Sequence, residues 1–272
     1  MLTHYEPVTD NAQLLARFGV TLPEGADPAS DDAAAAVRPL ILHAGPKPAG
    51  RLGDARLGRL GLLPRFATEP GDARHTMHCP VEAMKSQPDF RESWWAGRRC
   101  IVPVVHVSAW RYAASRPQRW QVQHVDDEPL ALAGLWNEWT GPAGETVLSF
   151  SVLTQAADGH ELFRHLALPG QAPRMPVMLP ATALLLWLDG GLKDAERLLQ
   201  RPPTEPLKAG PEAGAAATPR EPASWSVLPD MFAHEWHAMA VEAPPLRTPP
   251  RSRRALRPPS PEPVGPTTAD LF

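Results

Sequence analysis

The spacing of apolar positions changes period several times along the chain, and each change marks an element. Leu14, Leu15 and Phe18 fall on one helical face, with Thr9 or Asp10 available as a cap and Gly19 as the stop. Leu40-Ile41-Leu42 reads as a short strand, and residues 60–66 as another, closed by Pro64. Pro88 suits the first turn of a helix that runs to Gly97, with Trp94 and Trp95 inside it. Residues 101–107 are rich in β-branched side chains and read as a buried strand. Trp120, Val122 and His124 then alternate with polar neighbours, as in a half-buried strand. Residues 130–136 and 147–153 are two strands joined through the turn residues Gly141-Pro142-Ala143-Gly144, a hairpin signature. Residues 192–200 form an amphipathic helix. The sum is an α+β chain with a mainly antiparallel sheet, possessing flanking helices.

Composition changes this picture mostly at the C-terminal end. Proline accounts for 34 of 272 residues, against roughly 5% in ordinary proteins, and crowds the last third. We expect a folded domain over residues 1–201, with a surface loop at 21–36. A Pro/Ala-rich linker and a docking helix follow over 202–243, the helix carrying Trp225, Phe232 and Trp236. Residues 244–272 are expected to be a disordered basic tail with Arg247, Arg251, Arg253, Arg254 and Arg257. A net charge of -3 gives no global nucleic-acid footprint, so any such contact must come from a local basic cleft or the tail. Two cysteines make no disulfide framework, and the first residues show neither a basic region nor an apolar run. No apolar stretch approaches the ~20 residues of a membrane span. The expected location is therefore the reducing cytoplasm, without membrane contact.

Few residue clusters suggest chemistry on their own. His75, His78, Cys79 and Cys100 match no common zinc spacing, and Cys100 begins an apolar strand. His234-Glu235-Trp236-His237 lacks the two histidines four apart of a metalloprotease helix. Asp126-Asp127-Glu128 fits a solvated turn between strands. We therefore expect neither metal nor cofactor. Trp94, Trp95, Trp136 and Trp139 can stack on bases or fill a core, and core packing is expected for Trp136.

Three longer blocks carry more. They are Pro88-Asp89-Phe90-Arg91 running into Arg98-Arg99-Cys100-Ile101-Val102-Pro103, then Ala133-Gly134-Leu135-Trp136-Asn137-Glu138-Trp139, then Arg174-Met175-Pro176-Val177-Met178-Leu179. Thr3, Tyr5 and Pro7, the Phe18-Gly19-Val20 run, residues 61–66, Leu153-Thr154, residues 157–160 and Pro169-Gly170 accompany them in order. Over about residues 1–200 the chain resembles the SOS response-associated peptidase (SRAP) family, whose members act on abasic sites in single-stranded DNA. The resemblance implies an SRAP-like, mainly antiparallel sheet or barrel. It also implies a chemistry. The initiator methionine is removed, and the amine of the exposed cysteine attacks the ring-opened aldehyde of an abasic site. The thiol then closes a thiazolidine, giving a stable DNA–protein cross-link. A glutamate and a histidine move protons, an asparagine positions the site, and arginines with an aromatic wedge hold the kinked strand.

This chain departs from that pattern at the reacting positions. Leu2 stands at the cysteine position, Ala109 at the glutamate, Ala167 at the histidine and His78 at the asparagine; Pro80 replaces an arginine. Glu82 matches a family glutamate outside the proton-transfer set. The DNA-binding candidates that remain are Phe66 as wedge, Arg98, Arg99 and Arg174. A bulky second residue keeps Met1 in place, and its α-amine, with an ordinary pKa near 8, can form only a hydrolysable imine. The reading is a pseudoenzyme that still associates with single-stranded or abasic DNA. Its alternative is an active enzyme with a rearranged site built on the Met1 amine and His78. A third reading rests on Thr268 to Phe272, which resembles the peptide that binds the bacterial sliding clamp, with Leu271 and Phe272 as the apolar pair.

Overall fold

A computed structural model describes residues 2–25, 37–43, 45, 52–113, 116–167, 170–200 and 204–212. The chain divides into two compact units, Met1–Pro219 and Arg220–Phe272, and every described residue belongs to the first. The docking helix expected at 225–241 and the tail expected at 244–272 lie outside the described residues. So does most of the loop expected at 21–36.

The described strands are β1 (Leu2–Pro7), β2 (Val37–Leu42), β3 (Asp54–Leu60), β4 (His78–Pro80), β5 (Arg99–Ala113), β6 (Arg116–His124), β7 (Leu130–Thr140), β8 (Thr146–Ala156), β9 (Arg174–Pro176) and β10 (Leu207–Pro211). The helices are α1 (Asn11–Phe18), α2 (Pro88–Trp95), α3 (Leu184–Asp189) and α4 (Leu192–Leu199). Pairing of β5 with β2, β2 with β3, β3 with β8, β8 with β7 and β7 back to β5 closes a five-stranded barrel. All of these pairs are antiparallel except β3 with β8.

Strand alternation sorts the barrel side chains into two cores. Leu40, Leu42, Cys100, Val102, Leu132, Phe150 and Val152 belong to the inner core. Ile41, Ile101, Ala131, Ala133, Leu135 and Leu153 belong to an outer core, which they share with Trp94 of α2, Trp187 of α3 and Leu198 of α4. Gly134 is fixed by packing: a Cβ there would meet Cys100 Sγ at 2.7 Å and the Ser151 carbonyl at 2.9 Å.

The 15-residue β5 outruns the barrel. Its second half pairs with β1 on one edge and β6 on the other, and β10 adds to β6. The result is a β1–β5–β6–β10 extension beyond the barrel.

Three expectations are corrected. Residues 60–66 do not form one strand: β3 ends at Leu60, and Gly61 turns away at φ 107°. A Cβ at Gly61 would meet the Ala73 carbonyl at 2.2 Å, so the turn requires glycine. Leu15 is 58% exposed, so the buried face of α1 is Leu14 and Phe18 alone. β10 lies in the expected linker, so the folded domain runs past Arg201. The α1 caps are as read: Asp10 accepts from the Ala12 amide, and Gly19 is left-handed.

Candidate functional site

Two places on the barrel carry the candidate residues. The first is the loop after β3. The Gly61 amide donates to the Phe150 carbonyl at 2.8 Å. The Leu63 amide donates to Ser149 Oγ at 2.9 Å, and Asn137 Nδ2 donates to the Leu63 carbonyl at 2.6 Å. Trp139 Nε1 donates to the Ala67 carbonyl at 3.0 Å. Phe66, 62% exposed, sits between those anchors. An apolar ring held out on a loop tied at both ends can stack on a flat partner. Arg65 pairs with Glu92 of α2 at 2.6 Å.

The arginines divide. Arg98 Nη1 donates to Asn137 Oδ1 and lies 3.8 Å from Glu92 Oε1, with its guanidinium over the Trp136 ring. It therefore acts first on the wedge loop, through Asn137. Arg99 is buried beneath α3 and donates to the carbonyls of Trp187, at 2.5 Å, and Gly190. That corrects its reading as a DNA contact: the side chain satisfies helix-end carbonyls and is closed to a strand of DNA. Arg174 donates to Glu82 Oε2 at 2.8 Å and to the Thr154 carbonyl at 2.8 Å. Burial alone would raise the Glu82 carboxyl, but the Arg174 bond, a backbone hydrogen bond and the Arg174 charge together hold the group below its ordinary value.

The second place is the β1–β5 pair. Leu2 lies opposite Ala109 in its register. The strand pairing thus sets face to face the two positions at which the resemblance expects a cysteine and a glutamate. Ala109 is buried with Tyr5, Val107 and Val122 in the inner core, and its methyl group has no proton to exchange. β9, which starts at Arg174, packs against β1. His78 starts β4, opposite Val152 of β8. Burial pushes its imidazole down to about 4, and the positive charge of the chain's amino terminus adds to the effect. His78 is therefore neutral at pH 7. Ala167 follows the 3-10 turn Phe163–His165 and belongs to none of these strands. Met1, Leu271 and Phe272 lie outside the described residues, as do the side-chain surroundings of Leu2.

Burial raises both thiols, Cys79 in the outer core and Cys100 in the inner, so neither is a ready nucleophile. Among the described residues no three His, Cys, Asp or Glu side chains converge on a metal position.

The SOS response associated peptidase (SRAP) family model matches residues 1–212. The chain belongs to the SRAP family. Its SRAP domain is 27% identical over 166 residues to the abasic site processing protein HMCES of Xenopus tropicalis, covering 52% of this chain and 48% of that protein. It is 26% identical over 148 residues to the abasic site processing protein YoqW of Bacillus subtilis, covering 53% and 62%. The chain thus spans about half to three-fifths of these relatives' length. A Bordetella bronchiseptica crystal structure superposes with a TM-score of 0.69 at 25% identity, over 77% of this chain and 99% of that one. A Bacteroides thetaiotaomicron structure, at 0.64 and 20% over 77% and 91%, shares the SRAP fold.

Sequence reasoning missed Asn137 and Ser149, which hold the wedge loop. A signal was present: Asn137 interrupts an apolar strand, and a buried amide must bond to something. Among the described residues, no helix is long and apolar enough to cross a membrane.

Proposed function

We propose that this SRAP protein takes part in the DNA-damage response by engaging abasic or single-stranded DNA, and that it has lost the covalent step. The observation that carries the reading is the register of β1 on β5, which sets Leu2 against Ala109. The thiol needed to close a thiazolidine and the carboxyl needed to move its protons are both aliphatic here. The wedge loop, by contrast, keeps an exposed aromatic on a fixed frame. Phe66 stacks on a base, Arg98 fixes the loop and faces the same strand, and Arg174 with Glu82 frames the end where β1 and β9 meet. We place this damage-response role in the cytoplasm.

The related proteins named for abasic-site processing support the substrate class. The test is to mix the protein with a single-stranded oligonucleotide holding one abasic site, with and without borohydride, and to run the products under denaturing conditions. We expect binding but no adduct in the absence of reductant. A stable adduct without borohydride would overturn the pseudoenzyme reading.

One observation favours a second reading, residual imine chemistry at the Met1 amine. His78 is neutral and feels the charge of the amino terminus, so an uncharged imidazole is available to accept a hydrogen bond from that amine. An adduct trapped only by borohydride, and lost in His78→Leu, supports it. The terminal pair Leu271 and Phe272 adds a partner of another kind, the sliding clamp. A peptide of residues 257–272 should bind the purified clamp directly, and no binding at high micromolar concentration removes the idea.

A further inference from the structure

Several arginines among the described residues are already neutralised. Arg17 pairs with Glu128, Arg65 and Arg98 approach Glu92, Arg119 pairs with Glu212, and Arg174 with Glu82. Arg111 is held differently. Its guanidinium lies over the Trp120 ring, 4.3 Å from the centroid, and no carboxylate among the described residues is ion-paired with it. An aromatic face orients a guanidinium without cancelling its charge. The charge stays available to an anion.

Its position follows from strand register. Ala109 lies opposite Leu2 on β1 and opposite Trp120 on β6. Residues directly opposite in an antiparallel pair share a face, and Arg111 is two residues beyond Ala109 on the same strand. The Arg111–Trp120 stack is therefore on the face of Ala109, one step further out along the arm. Residues 107–125 contain Arg111, Arg116 and Arg119 and no Asp or Glu. Beside the stack is a crevice of about 80 Å³ lined by Arg111, Trp120, Leu162, His165 and Leu166, and by the carboxylate-bearing Glu161. A single water needs only about 10–15 Å³ of such space, so a group the size of a phosphate can enter beside the guanidinium.

We propose that Arg111, held flat on Trp120, contacts a backbone phosphate of single-stranded DNA next to the Leu2–Ala109 position. The inference rests on the reading that this chain binds single-stranded DNA. It moves the phosphate contact from Arg98 and Arg174, whose charges are shared with glutamates, to a residue not among the sequence-derived candidates.

The experiment measures binding of a short fluorescein-labelled oligo-dT by anisotropy, across a salt series, for the full chain, Arg111→Gln, Trp120→Leu and Phe66→Ala. A lost phosphate contact lowers the slope of log affinity against log salt by about 0.7 for a single strand. We expect that reduction in Arg111→Gln, with affinity about ten-fold weaker at low salt and an unchanged melting temperature. Trp120→Leu should weaken binding several-fold by releasing the guanidinium. Phe66→Ala should weaken binding with the wild-type slope. Wild-type binding with an unchanged slope in Arg111→Gln overturns the phosphate contact and leaves the function standing. Absence of wild-type binding overturns the function itself.

Discussion

The wedge loop and the β1–β5 rim sit on the same barrel and treat polarity in opposite ways. At the wedge loop, buried polar groups are matched donor to acceptor: Asn137 bridges Arg98 and the Leu63 carbonyl, Ser149 accepts from the Leu63 amide, and Trp139 takes the Ala67 carbonyl. At the β1–β5 rim the register sets Leu2 against Ala109, and Ala109 is absorbed into the apolar core. A buried polar network is costly unless complete, and here it is complete where it presents an aromatic to solvent. The difference separates two jobs that one barrel can do. Holding a strand of DNA needs a rigid exposed surface; reacting with it needs a nucleophile and proton carriers. Among the described residues the exposed aromatic on a fixed loop is seen, and the proposal assigns it the first of these jobs.

Breaking the network should have the largest effect. Asn137→Ala strands the Leu63 carbonyl and removes the acceptor for Arg98, which should cost about 2–4 kcal/mol of stability. Urea unfolding checks it, and a loss under about 0.5 kcal/mol would mean the loop is held by packing alone. Phe66→Ala should leave stability almost untouched while weakening oligo-dT binding by about 1–3 kcal/mol, the usual worth of one stacked base. An equal effect on both would make Phe66 a structural residue.

A third effect concerns His78. Its imidazole is pushed from 6.5 down to about 4, so between those values the unfolded chain binds a proton that the folded chain refuses. That contribution to stability is fully present above pH 6.5 and is lost as pH falls towards 4. Partly buried His78 should therefore steepen the acid side of the stability profile, and His78→Asn should flatten it between pH 7 and pH 5 in paired urea titrations. An identical profile would show that His78 is hydrated in solution.

Much of the fold was legible because its elements announce themselves locally. The β7–β8 hairpin, α2 behind Pro88, α4 and the caps of α1 all follow from period and punctuation. The elements that were not assigned depend on distant partners. β1 mixes polar and apolar residues and becomes a strand by pairing with β5; β10, in a Pro-rich stretch, does so by pairing with β6. Residues 61–66 look like a strand because Leu62 and Leu63 are buried, yet side-chain bonds from Asn137 and Ser149 hold them as a loop. In the candidate site, adjacent Arg98 and Arg99 are alike in sequence. Alternation tells them apart, since Arg99 shares the outer face of β5 with Ile101 and meets Trp187. Arg111 went unnoticed because its partner, Trp120, is on another strand.

The central claim is that DNA engagement persists without a covalent step. Intact-mass spectrometry of the denatured mixture of protein and abasic single-stranded oligonucleotide tests it most directly, with Leu2→Cys run alongside and binding confirmed by anisotropy beforehand. The account predicts that wild-type protein binds the oligonucleotide and returns at its unmodified mass, whereas Leu2→Cys, once its methionine is removed, yields some adduct. A wild-type adduct that survives denaturation without reductant would contradict it.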